Sequence, residues 1–330
     1  MNNSNKPSTY RRSLIAVGAV ALLLPLVANG QAKWPSQPIK IIVPFAPGGS
    51  NDIIARLLAI KMSMRMGNPV VVENKGGAGG TIGTEFVTKA APDGYTLLFA
   101  STSITTNVAT SKVLRYDLVK DLQPIGTIAT SPFAVVVSSK LPVKSFAEFV
   151  KLAKSKPGSI NYGTAGVGGI NHLGTELVAN EAGIKLTHVP YKGIGPAFTD
   201  LVGGQLQMLL PTVASSVQQI KDGRMRGLAV TGAKRSSLLP DLPTLSESGL
   251  PGFQLEAWYG LLGPAGMPAD VVKRLNVELN AVLETDEVKK QLALEGATVT
   301  PGSPGSLGNL IKSEIERWRG LLKAANIKIE

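Results

Sequence analysis

The chain is 330 residues long, 44% apolar and 17% charged, with a formal net charge of +11, no cysteine and two histidines. That length and apolar content suffice for a core spread over about two domains. The missing cysteines exclude a thiol nucleophile, disulfides and thiolate metal sites, and His172 and His188 have no flanking carboxylate cluster that would make a zinc pattern.

The N-terminal residues 1–12 hold Lys6, Arg11 and Arg12 and no acid. SLIAVGAVALLLPLVA (13–28) is apolar and broken by Pro25, and small residues follow in ANGQA. This is the pattern of a secretory signal peptide over 1–32, with cleavage expected after Ala32 and, as an alternative, after Gly30. The stretch is short for a membrane span. Tyr10 precedes the arginine pair and no Phe-Leu-Lys follows, so general secretion is expected over twin-arginine export. The mature chain is expected to be soluble and periplasmic. Loss of the three cations lowers the net charge from +11 to +8.

Strand-like and helical runs then alternate. IKIIVPF (39–45) reads as a strand and leads into a helix over about 51–65, with Ile53, Ile54, Leu57, Leu58 and Ile60 as its apolar stripe. PVVVEN (69–74) is a strand, followed by the glycine loop KGGAGG (75–80) and a helix to about Ala91. TLLFAS (96–101) and FAVVVSS (133–139) are strands, and STSITTN (101–107) reads as a loop. Ser145 and Glu148 form a capping box for a helix to about 155. INYGTAG (160–166) is strand then turn, with a helix from about 169 to 182. LTHVPY (186–191), QMLLPT (207–212) and GLAVTG (227–232) are strands, and Ile194–Val202 is helical. WYGLLGP (258–264) is one apolar run. Helices follow at Asp270–Leu283 and after Ser303 and Pro304. This alternation predicts an α/β protein with mostly parallel sheets in two lobes joined by crossing strands.

Two turns share one design: PGGSND (47–52) and GTAGVGG (163–169) each follow a strand and precede a helix. A helix N-terminus behind glycines binds anions, although the same pattern also serves as an ordinary βα turn. Ser50, Thr164 and the N–H groups of Gly48, Gly49, Ala165 and Gly166 are candidate donors, each worth about 1.5–3 kcal/mol to a charged acceptor. The loop STSITTN (101–107), with Ser101 and Thr102 first, adds hydroxyls at the same carboxyl edge of the strands, where open α/β sheets bind ligands. Asp52 at a helix start is read chiefly as a partner of the helix dipole, and His188 as a strand histidine of the core. A lone glycine-rich turn is weak support for a dinucleotide, and neither a nucleophile elbow nor a P-loop is present. No basic run is interleaved with aromatics, so nucleic acid is not an expected partner.

IKIIVPFAPGGSNDIIAR, VVVENKGGAGGTIGTE, APDGYTLLFAS, HVPYKG, DLVGGQLQML, LPDLPTLSESGLPGF and LNVELNAVL occur in order along almost all of the mature chain. Together they make the sequence resemble the Bug family, the solute-binding proteins of tripartite tricarboxylate transporters. The resemblance implies a type II periplasmic-binding-protein fold: two α/β lobes joined by hinge strands, with a ligand cleft between them. The boundaries expected are 33–131 plus 251–330 for one lobe and 132–250 for the other. It further implies capture of a small carboxylate, a dicarboxylate or an aromatic acid, for uptake through membrane subunits. The carboxylate is held by the loop that here comprises Phe45, Ala46, Pro47, Gly48, Gly49, Ser50, Asn51 and Asp52, facing Thr164, Ala165 and Gly166. Ala46 stands where the family commonly has proline. A monomer without metal, cofactor or catalytic residue is expected. A carboxylate sensor feeding a signalling partner and, more distantly, an exported enzyme stay open as alternatives.

Overall fold

The computed structural model describes residues 1–2, 34–111, 114–294 and 296–324. Residues 3–33, which contain the apolar stretch and both expected cleavage points, lie outside the described residues. Residues 1–36 form a unit of their own, and the fold described below is that of residues 37–330.

The larger lobe is built on a six-stranded sheet. Its strands in chain order are β1 (Ile39–Val43), β2 (Val70–Asn74), β3 (Thr96–Ser101), β4 (Leu122–Pro132), β10 (Glu256–Pro264) and β11 (Thr298–Val299), in the spatial order β11-β4-β10-β3-β1-β2. Helices α1 (Ser50–Met66), α2 (Thr81–Thr88), α3 (Ser103–Thr110), α8 (Ala269–Leu283), α9 (Asp286–Leu294) and α10 (Pro304–Ala324) go with it. The smaller lobe has the order β7-β6-β8-β5-β9, from β5 (Ala134–Ser138), β6 (Asn161–Thr164), β7 (Thr187–Pro190), β8 (Met208–Leu209) and β9 (Met225–Val230). Its helices are α4 (Phe146–Ser155), α5 (Ile170–Ala182), α6 (Ile194–Gly203) and α7 (Val213–Lys221). Each lobe has its own core. Ile42, Leu98, Trp258, Leu262, Leu307 and Ile311 pack in the first, and Val136, Phe198, Leu201, Leu209 and Val230 in the second.

Both sheets are mixed, not mostly parallel. β1 pairs parallel with β2 and β3, and β6 with β7 and β8, but β10 runs antiparallel to β3 and β4, and β5 antiparallel to β8 and β9. The antiparallel strands are those that carry the chain between lobes. β4 runs out of one sheet into β5 of the other through Phe133, and the return path enters β10 after Leu255. A chain that leaves and re-enters along neighbouring strands must run antiparallel there.

Local chemistry explains most elements. The Glu148 N–H donates to Ser145 Oγ at 3.2 Å, while the Glu148 carboxylate accepts from the N–H of Lys144, one residue earlier than a capping box requires. Val271, Val272, Leu275, Leu279, Val282 and Leu283 are all buried along α8, as their spacing dictates. In α1 the buried face is instead Ile54, Leu58 and Met62 with two alanines, and Ile60 is 59% exposed. The stripe read from sequence was too wide for one helix face. The segment read as a loop is the short helix α3. Its first five residues are buried, and Thr105 and Thr106 return their hydroxyls to the carbonyls of Thr102 and Ser103 at 2.7 and 3.0 Å. Burial of hydroxyls on their own turn overrides the weak helix propensity of Ser and Thr.

The crossing between lobes is tied by Thr231, which is fully buried. Its Oγ1 accepts the Phe133 N–H at 2.8 Å and donates to the Leu255 carbonyl at 2.5 Å, and its N–H donates to the Phe133 carbonyl at 2.9 Å. Thr231→Val keeps the shape and leaves the buried Phe133 N–H without its hydroxyl acceptor. Unfolding in urea should show a loss of about 1–3 kcal/mol; a loss within experimental error would remove the tie from the account.

Candidate functional site

A cleft lies between the lobes. From the larger lobe come Phe45, Ala46, Gly49, Ser50 and Asn51 at the start of α1, Ser101 and Ser103 at the start of α3, and Ala257 and Tyr259 of β10. From the smaller come Phe133 at the crossing, Ala165, Ile170 and Asn171 at the start of α5, Ile194 of α6, and Thr212 and Ser215 at the N-cap and in the first turn of α7. The first turns of α1, α3, α5, α6 and α7 thus open into one space. A first turn has N–H groups with no intrahelical acceptor, and the dipole puts partial positive charge there. Among the described residues, no carboxylate, ammonium, guanidinium or imidazole lines this wall. Its potential is that of aligned peptide dipoles, which suits an anion.

Polar groups of the wall are partly matched to one another. The Tyr259 hydroxyl donates to Ser50 Oγ at 2.9 Å, and burial pushes its pKa up to about 12. Ser103 Oγ accepts the Ile170 N–H at 3.3 Å from across the cleft. Thr212 and Ser215 hydroxyls pair at 3.1 Å, and the Asn171 amide donates to the Leu210 carbonyl at 2.7 Å. Asn51 Oδ1 is buried with no partner among the described residues. That amide can present either its oxygen or its NH₂ to a ligand.

The residues singled out from sequence divide into three groups. Phe45, Ala46, Gly49, Ser50, Ser101 and Ala165 lie in the wall. Pro47 and Gly48 are exposed at the outer rim, facing Gly195 and Phe198. Asp52, Thr102, Thr164 and Gly166 stand behind the wall and hold it. The Asp52 carboxylate accepts from Arg56 Nε at 2.9 Å, Asn74 Nδ2 at 3.0 Å and the Gly48 N–H at 3.2 Å. Burial works to raise its pKa, but these donors outweigh it and hold the group below the usual carboxylate range. The Gly48 N–H, a candidate donor to a ligand, is therefore already engaged. Thr102 Oγ1 accepts the Trp258 N–H at 2.9 Å and ties α3 to β10. Thr164 Oγ1 accepts the Gly166 N–H at 3.2 Å and bonds His188 Nε2 at 2.6 Å. Gly166 has φ +131° and packs on Gly79 of the other lobe.

Sequence reading missed Phe133, Ile170, Asn171, Ile194, Thr212, Ser215, Ala257 and Tyr259 as lining residues. Many had a usable signal. Thr212 and Ile194, like Ser50, open a helix that follows a strand, and one rule applied to every such junction finds them. Tyr259 had none, because in WYGLLGP nothing distinguishes the residue that faces the cleft.

Behind the 163–169 turn sit the two histidines. Their rings stack with centroids 3.9 Å apart at 11°, and Tyr162 stacks on His188 at 5.1 Å. His172 Nδ1 accepts the Gly168 N–H at 3.1 Å, so the neutral ring carries its proton on Nε2. Burial lowers both pKa values to about 4, with the neighbouring ring adding to the effect at His172.

Known proteins share this fold and much of this sequence. Residues 54–327 match the model of the tripartite tricarboxylate transporter family receptor. A UPF0065 protein from the tcbD-tcbE intergenic region of a Pseudomonas species is 40% identical over 88% of this chain and 86% of its own. The solved periplasmic binding protein BugD is 35% identical, with a TM-score of 0.87 over 90% of this chain and 100% of its own. A Rhodopseudomonas palustris protein solved with adipate has the same identity and score, over 89% and 99%. MatC of Rhodopseudomonas palustris, solved with bound malate, is 32% identical with a TM-score of 0.84 over 87% and 99%.

The stacked histidines generate a pH prediction. A histidine free in the unfolded chain takes up its proton near pH 6.5, whereas the folded pair does so only near 4. The pair's contribution is complete above about pH 6.5 and is lost as pH falls towards 4. His172→Asn keeps an acceptor for Gly168 and removes one titration. Between pH 7.5 and 4.5, urea unfolding should show the wild type losing about 2 kcal/mol more than the variant. Equal losses would mean that His172 does not titrate as described.

Proposed function

The chain belongs to the tripartite tricarboxylate transporter receptor family, and on that premise we propose that it captures a small organic acid, most simply a diacid, outside the cytoplasm for uptake by membrane transport subunits. The observation that carries the reading is the convergence of five helix N-termini on one cleft whose wall, among the described residues, has no charged side chain. Reversible capture needs a site that meets negative charge without a counter-ion and performs no chemistry on it. Oriented N–H groups do this, and each charge-assisted bond adds about 1.5–3 kcal/mol. Related proteins solved with adipate and with malate support the acid class. The apolar side chains Phe45, Phe133, Ile170 and Ile194 stand in the wall among its polar groups and suit the carbon chain of such an acid.

In this reading Ser50, Asn51, Ser101, Ser103, Ala165, Asn171 and Thr212 face the ligand, while Asp52, Thr102, Thr164 and Gly166 shape the loops. The lobes are 33–131 plus 251–330 and 132–250, hinged at Phe133 and Thr231. The protein works as a monomer, without metal or cofactor, and is not an enzyme. The segment 1–32 directs export, and the mature chain begins near Lys33 in the periplasm.

Calorimetry with adipate, malate and an aromatic monoacid should find at least one binder. At 100 times its dissociation constant the bound acid should add about 2.7 kcal/mol to stability, and EDTA should leave binding unchanged. Loss of binding in EDTA would contradict the metal-free site, and a substrate recovered chemically altered would contradict the non-enzymatic reading. Intact mass of the exported protein should correspond to a start at Lys33, or at Gln31 for the alternative cleavage; a mass retaining 13–28 would contradict export by this segment.

A further inference from the structure

The cleft is bordered by places where main chain of one lobe meets main chain of the other with no side chain between. At one border the Ala46 N–H donates to the Lys192 carbonyl at 3.2 Å. A Cβ built on Gly193 would stand 2.7 Å from Ala46 N, and one built on Gly76 2.7 Å from the Lys192 oxygen. Next to it, a Cβ on Gly195 would run into the Pro47 carbonyl. At the other border a Cβ on Gly166 would lie 2.7 Å from Gly79 Cα, and one on Gly79 2.5 Å from the Val167 carbonyl. Contacts this short with backbone atoms do not occur for real side chains.

Not all of these glycines are explained by their own conformation. Gly166 and Gly79 have φ of +131° and +64°, which already favours glycine. Gly193 does not, since its backbone is extended at φ 174° and ψ 167°, a conformation open to any residue. It is the N-cap of α6, a position at which Ser, Thr, Asn and Asp outrank glycine. Gly195 lies inside α6 without positive φ. Neither lines the cleft. What forbids a side chain at these two positions is the opposite lobe.

From this geometry we infer that Gly193 and Gly195 are positioning residues for ligand capture: they let main chain of the smaller lobe lock against residues 46–47 of the larger, and so set the closed state without touching ligand. A Cβ at either position holds the lobes apart, so the helix starts of one lobe no longer reach an anion seated on those of the other. Affinity then falls because the closed state is lost, while each lobe folds as before.

Gly193→Ser is the test, because serine serves α6 at least as well as an N-cap while adding the obstructing Cβ. Three quantities are read: melting temperature without ligand, affinity for adipate and malate, and hydrogen exchange at the Ala46 N–H with and without these acids. The expected result is an unchanged or higher melting temperature, at least ten-fold weaker binding, and at least ten-fold faster exchange at Ala46. Wild-type affinity together with wild-type exchange overturns the inference. The inference rests on the proposed ligand site only for the affinity readout. If the wild-type protein binds neither acid, the proposed function loses its support. Exchange at Ala46 then decides the seam alone, with faster exchange upholding it and equal exchange overturning it. Should Gly193→Ser fail to fold, Gly195→Ala combined with Pro196→Ala carries the same comparison, since alanine in place of the proline relieves local strain on the new Cβ.

Discussion

An anion that leaves water must be met by opposite charge or by hydrogen bonds, and among the described residues the cleft offers it no charged side chain. Everything else in the structure follows from that constraint. The N–H groups that remain are those of helix first turns, and each turn supplies only a few. α1 and α3 present theirs from the six-stranded sheet, and α5, α6 and α7 from the five-stranded one. Only two lobes brought together can surround a small anion with such donors. The mixed topology, in which antiparallel strands carry the chain across and back, provides that geometry with two crossings and a single buried threonine between them.

The ionisable residues near the cleft are one step removed from it, and this shapes the protein's response to conditions. Asp52 spends its carboxylate on Arg56, Asn74 and the Gly48 N–H, fixing the turn before α1. His188 holds Thr164, and His172 holds the Gly168 N–H, fixing the turn before α5. Both turns are thus braced by side-chain hydrogen bonds, and in the proposed reading that bracing lowers the ordering cost of binding. Because these groups brace loops, acid acts first on the loops' stability. In the proposed reading the anion meets only groups that do not titrate near neutral pH.

Much of the fold was legible in the sequence, and the failures have physical causes. Strands rich in Val, Ile and Leu and helices with caps and clean stripes, such as β1, β3, α4 and α8, stood out. α3 did not, because a helix of Ser, Thr and Asn buried on a sheet edge satisfies its hydroxyls by contacts that local propensity cannot foresee. β4 was missed altogether. LQPIGTIATSP contains Pro124 and Gly126 and alternates poorly, and it is a strand because β10 and β11 flank it. The turns at 47–52 and 163–169 were correctly located as strand-to-helix junctions, and both border the cleft. Which of their groups face inward was not legible. That Gly48 and Gly166 donate their N–H groups to Asp52 and Thr164 depends on side-chain geometry that sequence spacing does not encode.

Whether neutral donors alone hold the ligand can be read from a crystal structure of the protein with a bound diacid such as adipate. The account predicts carboxylate oxygens within about 2.7–2.9 Å of main-chain N–H groups at the starts of α1 and α5, directly or through ordered water, with Asn51 or Asn171 beside them. It also predicts no lysine, arginine or metal ion in contact with the acid. A carboxylate paired with a cationic side chain or a metal, or an acid seated outside the cleft between the lobes, would contradict it.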